Sequence, residues 1–254
     1  MKVALIGVPI ETERMDIFRD DLPFPIEAYS PGSTNEIRTY LAKRSKQYST
    51  KIEDFGELKF EFSNHPDKEV FRRLKKLEER KEILLRAKEN FDRVICIGPS
   101  HFGALLLYEE DDVVARFDFH GDFTEKNEEM YIGENFASYM HTVKRKIKSK
   151  RVINYGWGGI YPEDKENAMD IIGEIGVIGD NKHLGANHFD VDVDCFDKSL
   201  RIAKSRFCGR LFPEQLERMV REARPKKIGI WEYRSSYDKG EGVCFIENIV
   251  FNSS

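Results

Sequence analysis

The chain of 254 residues lacks long hydrophobic runs and has no excess of basic residues. No apolar segment approaches the roughly 20 residues needed to cross a bilayer, and Met1-Lys2 leads straight into a short strand-like run rather than a signal segment. The formal net charge of -4 provides no broad basic field, so neither nucleic acid nor a membrane surface is an expected partner. We therefore expect a cytoplasmic protein.

Cysteine is scarce and shows no paired spacing. The four cysteines, Cys96, Cys195, Cys208 and Cys244, form no Cys-x-x-Cys motif, which indicates reduced, mostly buried thiols. Charged residues make up 34% of the chain, above the ~25% of an average soluble protein, and Lys and Glu dominate them. Because this composition is typical of heat-adapted proteins, a disulfide between two of the cysteines stays an alternative for a hyperthermophilic source.

Strand-like runs alternate with helical patterns from end to end. This alternation predicts a three-layer α/β fold in which a mostly parallel central sheet has helices on both faces. The predicted strands cover 3–8, 93–97, 113–117, 151–155, 174–178, 189–193 and 227–231. One predicted helix is capped by Ser33 or Thr34, and others cover 67–90, 162–172 and 213–223, whereas 16–33 is predicted to be a surface loop. No internal repeat or low-complexity linker divides the chain, which predicts one domain over 1–254.

Two short segments concentrate side chains that bind metal ions. Asp118-Phe119-His120-Gly121-Asp122 follows one predicted strand, and Asp190-Val191-Asp192-Val193-Asp194 overlaps another. Side chains two residues apart on a strand point the same way, so each segment can aim several ligands into one space. Carboxylates at that density repel one another unless cations neutralise them. The two segments therefore predict a metal site, to which the second segment contributes either Asp190 and Asp192 or Asp192 and Asp194.

Further candidate residues follow the ends of other predicted strands. His101 comes four residues after the strand at 93–97, and Glu232 directly follows the strand at 227–231. In open α/β sheets, ligands bind outside the carboxyl ends of the strands, where different strands can contribute to one site. We therefore expect four strands to bring these acids and imidazoles to the same edge of the sheet.

The kind of donor predicts the kind of metal. Two imidazoles and several carboxylates form an oxygen-rich, hard set with no thiolate nearby except Cys195, which favours Mn²⁺, or Fe²⁺ or Co²⁺, over a structural zinc ion. The charges of Asp118, Asp122, Asp192 and Asp194 sum to -4 and match two divalent cations. Two metal ions about 3.5–4 Å apart can activate a water molecule near neutral pH, so the pattern favours a hydrolytic site.

These segments resemble those of the ureohydrolase family, which contains arginase, agmatinase and related enzymes. Gly98-Pro99-Ser100-His101-Phe102 and the two aspartate-rich segments occur in the order of the family's Gly-Gly-Asp-His-Ser, Asp-Ala-His-x-Asp and Ser-x-Asp-x-Asp segments. Asp197 follows as an aspartate does in the family, and Ile230-Trp231-Glu232 resembles the segment whose glutamate faces the substrate guanidinium. Weaker matches, such as Leu5-Ile6-Gly7-Val8-Pro9, extend the resemblance over nearly the whole chain. It implies a divergent member with the arginase-like fold.

The resemblance implies a role for each candidate residue. Two Mn²⁺ ions per subunit would be held by a set of ligands in which Asp118 is a bridge: His101, Asp118, His120, Asp122, Asp192 and Asp194. Asp190 would then replace the family's serine and stand behind the ligands. Glu232 would bind the substrate guanidinium, and Asp122 and His141 would carry protons to the departing amine. A homo-oligomer, a trimer or a hexamer, is implied as well.

The implied reaction is hydrolysis of a guanidino C–N bond to urea and an amine, with agmatine as the first choice of substrate. Arginine and a formimino compound such as formiminoglutamate are alternatives that would use the same metals. Two departures keep the substrate open: Ser100 replaces an aspartate before the first histidine, and Gly156-Trp157-Gly158-Gly159 stands where relatives often carry Gly-Ile-Arg. A metal-binding protein that has lost catalysis is the alternative from another class.

Overall fold

The computed structural model describes residues 1–12, 27–29, 32–59, 82–122, 139–156, 158, 173–197, 209–233 and 240–251. In chain order the described strands are β1 (Lys2–Gly7), β2 (Ile10–Thr12), β3 (Glu27–Tyr29), β4 (Lys51–Glu57), β5 (Arg93–Ile97), β6 (Val113–Phe117), β7 (Arg151–Tyr155), β8 (Glu174–Ile175), β9 (His188–Asp192) and β10 (Lys227–Trp231). Strands β2 and β3 form a separate antiparallel pair. The other eight form one sheet in the order β4-β1-β5-β10-β9-β6-β7-β8, in which every neighbouring pair is parallel.

Helices flank the sheet. The described helices are α1 (Asn35–Arg44), α2 (82–90), α3 (Tyr139–Thr142), which continues into a π-helical turn at Val143–Ile147, α4 (Pro213–Ala223) and α5 (Glu241–Phe251). The predicted helix over 213–223 is confirmed. Pro213 stands in its first turn, where backbone N–H groups have no partner within the helix, so the missing N–H of proline costs no hydrogen bond. The predicted helix over 67–90 is helical from residue 82 onward. Its earlier part and the predicted helix over 162–172 lie outside the described residues.

The core has two layers, one on each face of the sheet. Along β1, Val3 and Leu5 pack into one layer, whereas Ala4 and Ile6 pack into the other, as the alternation of side chains on a strand requires. Helices α1, α4 and α5 cover the first face, and α2, α3 and the turn at His101–Leu106 cover the second. Strands buried on both faces read as continuous apolar runs, which is why the sequence revealed them. The predicted α/β fold with a parallel sheet and helices on both faces is confirmed.

Several element ends differ from their predicted positions. Strand β9 begins one residue earlier than predicted, and β8 stops at Ile175 instead of continuing to 178. Glu27–Tyr29, inside the predicted surface loop, forms β3. Thr34 is the cap residue of α1, but its hydroxyl donates to Glu57 Oε1 at 2.7 Å instead of capping the helix backbone. The partners of β3 and Thr34, which are β2 and Glu57, are distant along the chain and therefore lie outside any short sequence window.

Two further expectations can be compared with the described residues. Cys96 and Cys195 are buried free thiols and Cys244 is an exposed one, while Cys208 lies outside the described residues. Within the described ranges, no helix combines the length and the apolarity that a bilayer crossing requires.

Candidate metal centre

Four adjacent strands of the sheet end at the candidate metal centre. The turn at His101–Leu106 follows β5, Asp118 follows β6, Asp192 ends β9 and Glu232 follows β10. Because β5, β10, β9 and β6 are neighbours in this order, their carboxyl ends lie side by side. The structure brings the predicted residues into three overlapping groups, in each of which the ligand atoms lie within 4.8 Å of one another: His101, Asp118 and Asp122; Asp118, His120 and Asp194; Asp192, Asp194 and Glu232.

The first part of the centre, here called the His101 half, comprises His101, Asp118, Asp122 and Asp192. The Nδ1 atom of His101 lies 3.1 Å from Asp118 Oδ2, 3.1 Å from Asp122 Oδ2 and 3.0 Å from Asp192 Oδ2. Neighbouring ligands of an octahedral cation with bonds of about 2.1 Å lie about 3 Å apart. The spacing of the His101, Asp118 and Asp122 atoms therefore fits one divalent cation, and the Asp192 carboxylate lies equally close to His101.

The second part, here called the His120 half, comprises Asp118, His120 and Asp194. His120 Nδ1 lies 2.6 Å from Asp194 Oδ2. Backbone N–H groups hold the two carboxylates: that of His120 donates to Asp118 Oδ1 at 2.6 Å, and that of Phe119 donates to Asp194 Oδ1 at 3.2 Å. Asp118 belongs to both halves, as a bridging ligand must.

Two buried polar atoms of the centre make no hydrogen bond with any described residue. They are Nδ1 of His101 and Oδ2 of Asp194, whose short contact with His120 lacks hydrogen-bond geometry. An unsatisfied buried polar atom is costly, and a bound cation is one of the few groups that removes the cost. One such atom lies in each half. The donor set therefore fits two divalent cations.

The charges within the centre repel one another. Removal from water and the neighbouring Asp118 raise the pKa of Asp122, and removal from water and the neighbouring Asp194 raise the pKa of Asp192 well above its ordinary value. Burial and Asp194 likewise raise the pKa of Glu232 to about 8. Carboxylates with raised pKa values gain from any nearby cation, so the arrangement favours binding of positive charge.

Backbone strain coincides with the centre. Asp122 has φ of 49° and Glu232 has φ of 59°, both in the left-handed region that side chains other than glycine rarely adopt. Each such residue costs about 1–3 kcal/mol and persists only where the surrounding contacts impose it. The fold thus holds these two carboxylates in place at the expense of stability, as functional sites commonly do.

Asp190 lies behind His101 rather than among the ligand groups. Its Oδ1 accepts a hydrogen bond from Trp231 Nε1 at 2.7 Å and lies 3.2 Å from His101 Nε2. Its Oδ2 accepts from the hydroxyls of Tyr108 at 2.6 Å and Tyr139 at 3.0 Å. With acceptors facing Nε2, the imidazole carries its proton there and leaves Nδ1 free for a cation. Of the two registers left open by the sequence, the structure places Asp192 and Asp194 in the groups.

A cation that the sequence pattern did not reveal, Arg116, lies inside the centre. Arg116 is 1% exposed, and its Nη2 donates to Asp118 Oδ2 and, at 2.6 Å, to Asp122 Oδ2. Its Nη1 donates to the His120 carbonyl and to Asn154 Oδ1, both at 3.0 Å, and its Nε donates to the Tyr139 hydroxyl at 2.9 Å. Arg116 could have been recognised as the only charged residue of an otherwise apolar strand. It stands two positions before Asp118 and therefore on the same face of the chain.

Comparison with solved structures identifies the fold. An arginase from Bacillus subtilis superposes with a TM-score of 0.71 at 13% identity, covering 100% of this chain and 98% of that one. A formimidoylglutamase from Bacillus subtilis gives 0.71 at 13% identity, with 99% and 85% covered. An agmatine ureohydrolase of Thermoplasma volcanium gives 0.69 at 13% identity, with 99% and 88% covered. The chain has the arginase-like fold.

At this low identity the likeness establishes the arginase-like fold and nothing finer. The sequence matches no family model and no curated protein. The fold expected from the sequence is thus confirmed by structures whose own sequences have diverged far from this one.

Two departures from the ureohydrolase segments have structural counterparts. Ser100 is buried and its Oγ accepts from the Phe102 N–H at 3.3 Å, so it caps the turn at His101–Leu106. The described support of His101 Nε2 comes instead from Asp190 and Tyr139. Gly158 donates its N–H to the Phe119 carbonyl at 3.0 Å, and a Cβ there would lie 2.1 Å from the Phe119 ring. Trp157 and Gly159 lie outside the described residues.

His141, the predicted proton carrier, lies on α3 of this arginase-like fold. The helix begins close to the centre, because the Met140 N–H donates to the Asp122 carbonyl at 3.2 Å. Tyr139, two residues before His141, contacts His101 and Asp190. The helix is therefore near the centre, and the role of the His141 side chain stays a prediction.

Proposed function

We propose that this chain is a binuclear manganese-dependent amidinohydrolase, which cleaves a guanidino C–N bond and releases urea and an amine. The observation that carries the proposal is the pair of ligand groups that share Asp118 and adjoin the carboxylate of Glu232. The fold is that of arginases, agmatinases and formiminoglutamases with solved structures, which supports an enzyme of this type. A cluster of carboxylates alone would lack His101 and His120. It would also lack the adjoining group of Asp192, Asp194 and Glu232.

The metal ions would be held by the two halves of the centre. His101, Asp118, Asp122 and Asp192 would hold one ion, and Asp118, His120 and Asp194, with Asp192, would hold the other. The mixed imidazole and carboxylate set suits Mn²⁺ better than a softer metal. Divalent cations bound there supply a water molecule activated for attack and offset the negative charge that develops during hydrolysis.

Glu232 would recognise the substrate. Its carboxylate adjoins Asp192 and Asp194, so a planar guanidinium between Glu232 and the metal ligands would meet negative charge on both sides. A cation at this position lowers the raised pKa of Glu232 and favours a charge-assisted, bidentate hydrogen bond. The glutamate thereby orients the guanidinium carbon toward the metal ligands.

Asp122 and His141 are the proposed proton carriers. Asp122 is buried in the His101 half, with its Oδ2 3.1 Å from His101 Nδ1, so its carboxylate would be within reach of a proton released there. His141, on the helix that begins beside Asp122, would deliver the proton to the departing amine. The amine then leaves as a neutral or protonated product instead of a strongly basic anion.

The test is product analysis on metal-free protein reloaded with Mn²⁺. Agmatine is the first choice of substrate; arginine and guanidinobutyrate are assayed for urea, and formiminoglutamate for formamide. Release of urea supports the proposal, whereas formamide alone would assign the centre to formimino hydrolysis. Bound metal without turnover of any of these compounds would indicate a protein that has lost catalysis. Sedimentation of the same preparation tests the proposed trimer or hexamer.

A further inference from the structure

Trp231 is the last residue of β10 and directly precedes Glu232, whose carboxylate adjoins Asp192 and Asp194. The indole of Trp231 is fully buried. It lies over three glycines at which an added Cβ would be 3.1 Å, 2.7 Å and 2.4 Å from the nearest indole atom, in the order Gly98, Gly103 and Gly229. These distances are shorter than an ordinary contact of about 3.5–4.0 Å, so a larger residue at any of the three would push on the ring. Three parts of the chain therefore leave space for this indole.

The indole is also held in one direction. In the parallel pairing of β10 with β9, Gly229 is the partner of Asp190 and Trp231 is the partner of Asp192. The indole leans back along β10, over Gly229, and its Nε1 donates to Asp190 Oδ1 at 2.7 Å. A side chain at position 229 would occupy the space through which the indole reaches Asp190. The glycine and the hydrogen bond together fix the orientation of the ring.

The chain reverses its face at Glu232. Side chains two residues apart on an extended chain point to the same face. Trp231 packs in the second core layer, however, whereas Tyr233 packs in the first, and both side chains are buried. The reversal coincides with the left-handed φ of 59° at Glu232. Because its two neighbours are buried in opposite layers, an extended backbone at Glu232 would pull one of them out of its layer.

We infer that Trp231 is a positioning residue of the substrate site, which holds the Glu232 backbone in its left-handed conformation and so aims the carboxylate at the substrate guanidinium. The inference rests on the proposed function, in which Glu232 binds that guanidinium. A left-handed glutamate persists only where its surroundings impose it, so loss of the anchor makes the extended form the major one. The carboxylate then leaves its place beside Asp192 and Asp194, and the substrate has to restore the order that the ring supplies in advance.

The first test is steady-state kinetics at saturating Mn²⁺ on the guanidino compound that the unaltered chain hydrolyses best. Trp231→Leu removes the ring and its N–H bond. Apparent affinity falls with the population of the competent conformation, so KM should rise about 10–100-fold while kcat stays within about threefold. Trp231→Phe keeps a ring in the same layer and should hold KM within about threefold of the unaltered value. Phe251→Leu, which removes a buried ring stacked on Tyr48 in another part of the core, is the control for lost packing and should leave KM unchanged.

A double variant shows whether Trp231 acts through Glu232. In the Glu232→Gln background, Trp231→Leu should raise KM by less than about threefold, since the carboxylate that the ring positions is already gone. Equal effects in the two backgrounds would overturn the inference. An equal rise of KM in Trp231→Phe and Trp231→Leu would overturn it as well, because the effect would then belong to the hydrogen bond with Asp190. If Trp231→Leu does not fold, Gly229→Ala takes its place, since the added Cβ displaces the indole.

Crystal structures provide a readout that needs no activity. Glu232 should be left-handed in the unaltered chain and in Trp231→Phe. It should be extended in Trp231→Leu or Gly229→Ala, with its carboxylate displaced from Asp192 and Asp194. A left-handed Glu232 that survives displacement or loss of the ring would overturn the inference. If the unaltered chain hydrolyses no guanidino compound, the proposed function fails, and these structures alone decide whether Trp231 holds Glu232.

Discussion

Asp190→Asn separates the support of His101 from metal binding itself. The Asp190 carboxylate faces four donors, two on each oxygen: Trp231 and His101 on Oδ1, and the hydroxyls of Tyr108 and Tyr139 on Oδ2. Asparagine keeps the size of the side chain but replaces one acceptor oxygen by an amide with two N–H bonds. The two donors that met the replaced oxygen then face the N–H bonds of the amide, which are donors as well.

The expected magnitude follows from this count. A hydrogen bond to a charged group contributes about 1.5–3 kcal/mol, so two lost bonds lower the free energy of unfolding of the metal-free protein by about 3–6 kcal/mol. If the displaced tyrosine hydroxyl rotates toward another acceptor, the loss in the free energy of unfolding is ~3 kcal/mol. Metal affinity falls by about 10–100-fold, because His101 loses the group that fixes its orientation and its protonated nitrogen.

The assay pairs two measurements on each protein: urea unfolding without metal and Mn²⁺ titration. Asp112→Asn is a matched control, since Asp112 is also buried and its two carboxylate oxygens lie 2.5 Å from Lys227 Nζ, outside the metal centre. The control should lose stability and retain Mn²⁺ affinity. If Asp190→Asn loses stability but binds Mn²⁺ as tightly as the unaltered chain, Asp190 does not support the ligand, and the reasoning fails.

Three further predictions concern the centre itself. Asp118→Asn should sharply lower bound Mn²⁺ at both halves, measured by metal analysis; unchanged stoichiometry would remove Asp118 from the bridge. Glu232→Gln should lower kcat/KM by about 10–100-fold through loss of a charge-assisted hydrogen bond, with metal content unchanged; the exposed Glu214→Gln is the control, and equal losses in both variants would contradict a substrate role. Burial lowers the pKa of His120, but the carboxylate of Asp194, 2.6 Å from His120 Nδ1, outweighs it and raises the pKa to about 9. Because the cation needs neutral imidazole, Mn²⁺ affinity should rise with pH up to about 9. The same raised pKa stabilises the metal-free protein below the unfolded pKa of histidine, and this contribution is lost as pH rises through about 9. Affinity that is flat from pH 6 to 9 would show that His120 binds no cation.

The fold was predictable because its signals are local. Strands such as β5 and β10 are buried on both faces and therefore appear as uninterrupted apolar runs. The connecting helices show an apolar face or a proline start, as α4 does. What the sequence could not give was the order of strands, in which β9 and β10 lie between β5 and β6. That order depends on long-range packing, which no short window contains.

The candidate ligands were predictable for the same reason, since each lies at the end of a strand or within five residues after it. The hydrogen bonds that hold these ligands in position were not predictable from the sequence. Asp190 receives hydrogen bonds from Tyr108, Tyr139 and Trp231, which are 82, 51 and 41 residues away along the chain. No spacing rule connects an aspartate to donors at such separations. The sequence could therefore indicate that Asp190 stands behind the ligands, but it could not name what Asp190 contacts.

Asp190 and Arg116 are best understood as a pair. The ureohydrolase segment has serine where this chain has Asp190, so the aspartate adds a buried negative charge, and such a charge is costly unless it is compensated. Arg116 compensates it through the Tyr139 hydroxyl, which accepts from the arginine Nε and donates to Asp190 Oδ2. The net charge available to two divalent cations is thereby unchanged.

The distribution of that charge, however, is changed. The Asp190 carboxylate lies behind His101, where four hydrogen-bond donors surround it. The Arg116 guanidinium, in contrast, contacts Asp118 and Asp122 directly. A pair that is neutral in sum therefore still opposes a cation that binds beside Asp118 and Asp122. Removing the charge of Arg116 alone, while Asp190 keeps its own, should therefore strengthen metal binding beyond what an uncharged pair at the two positions would allow.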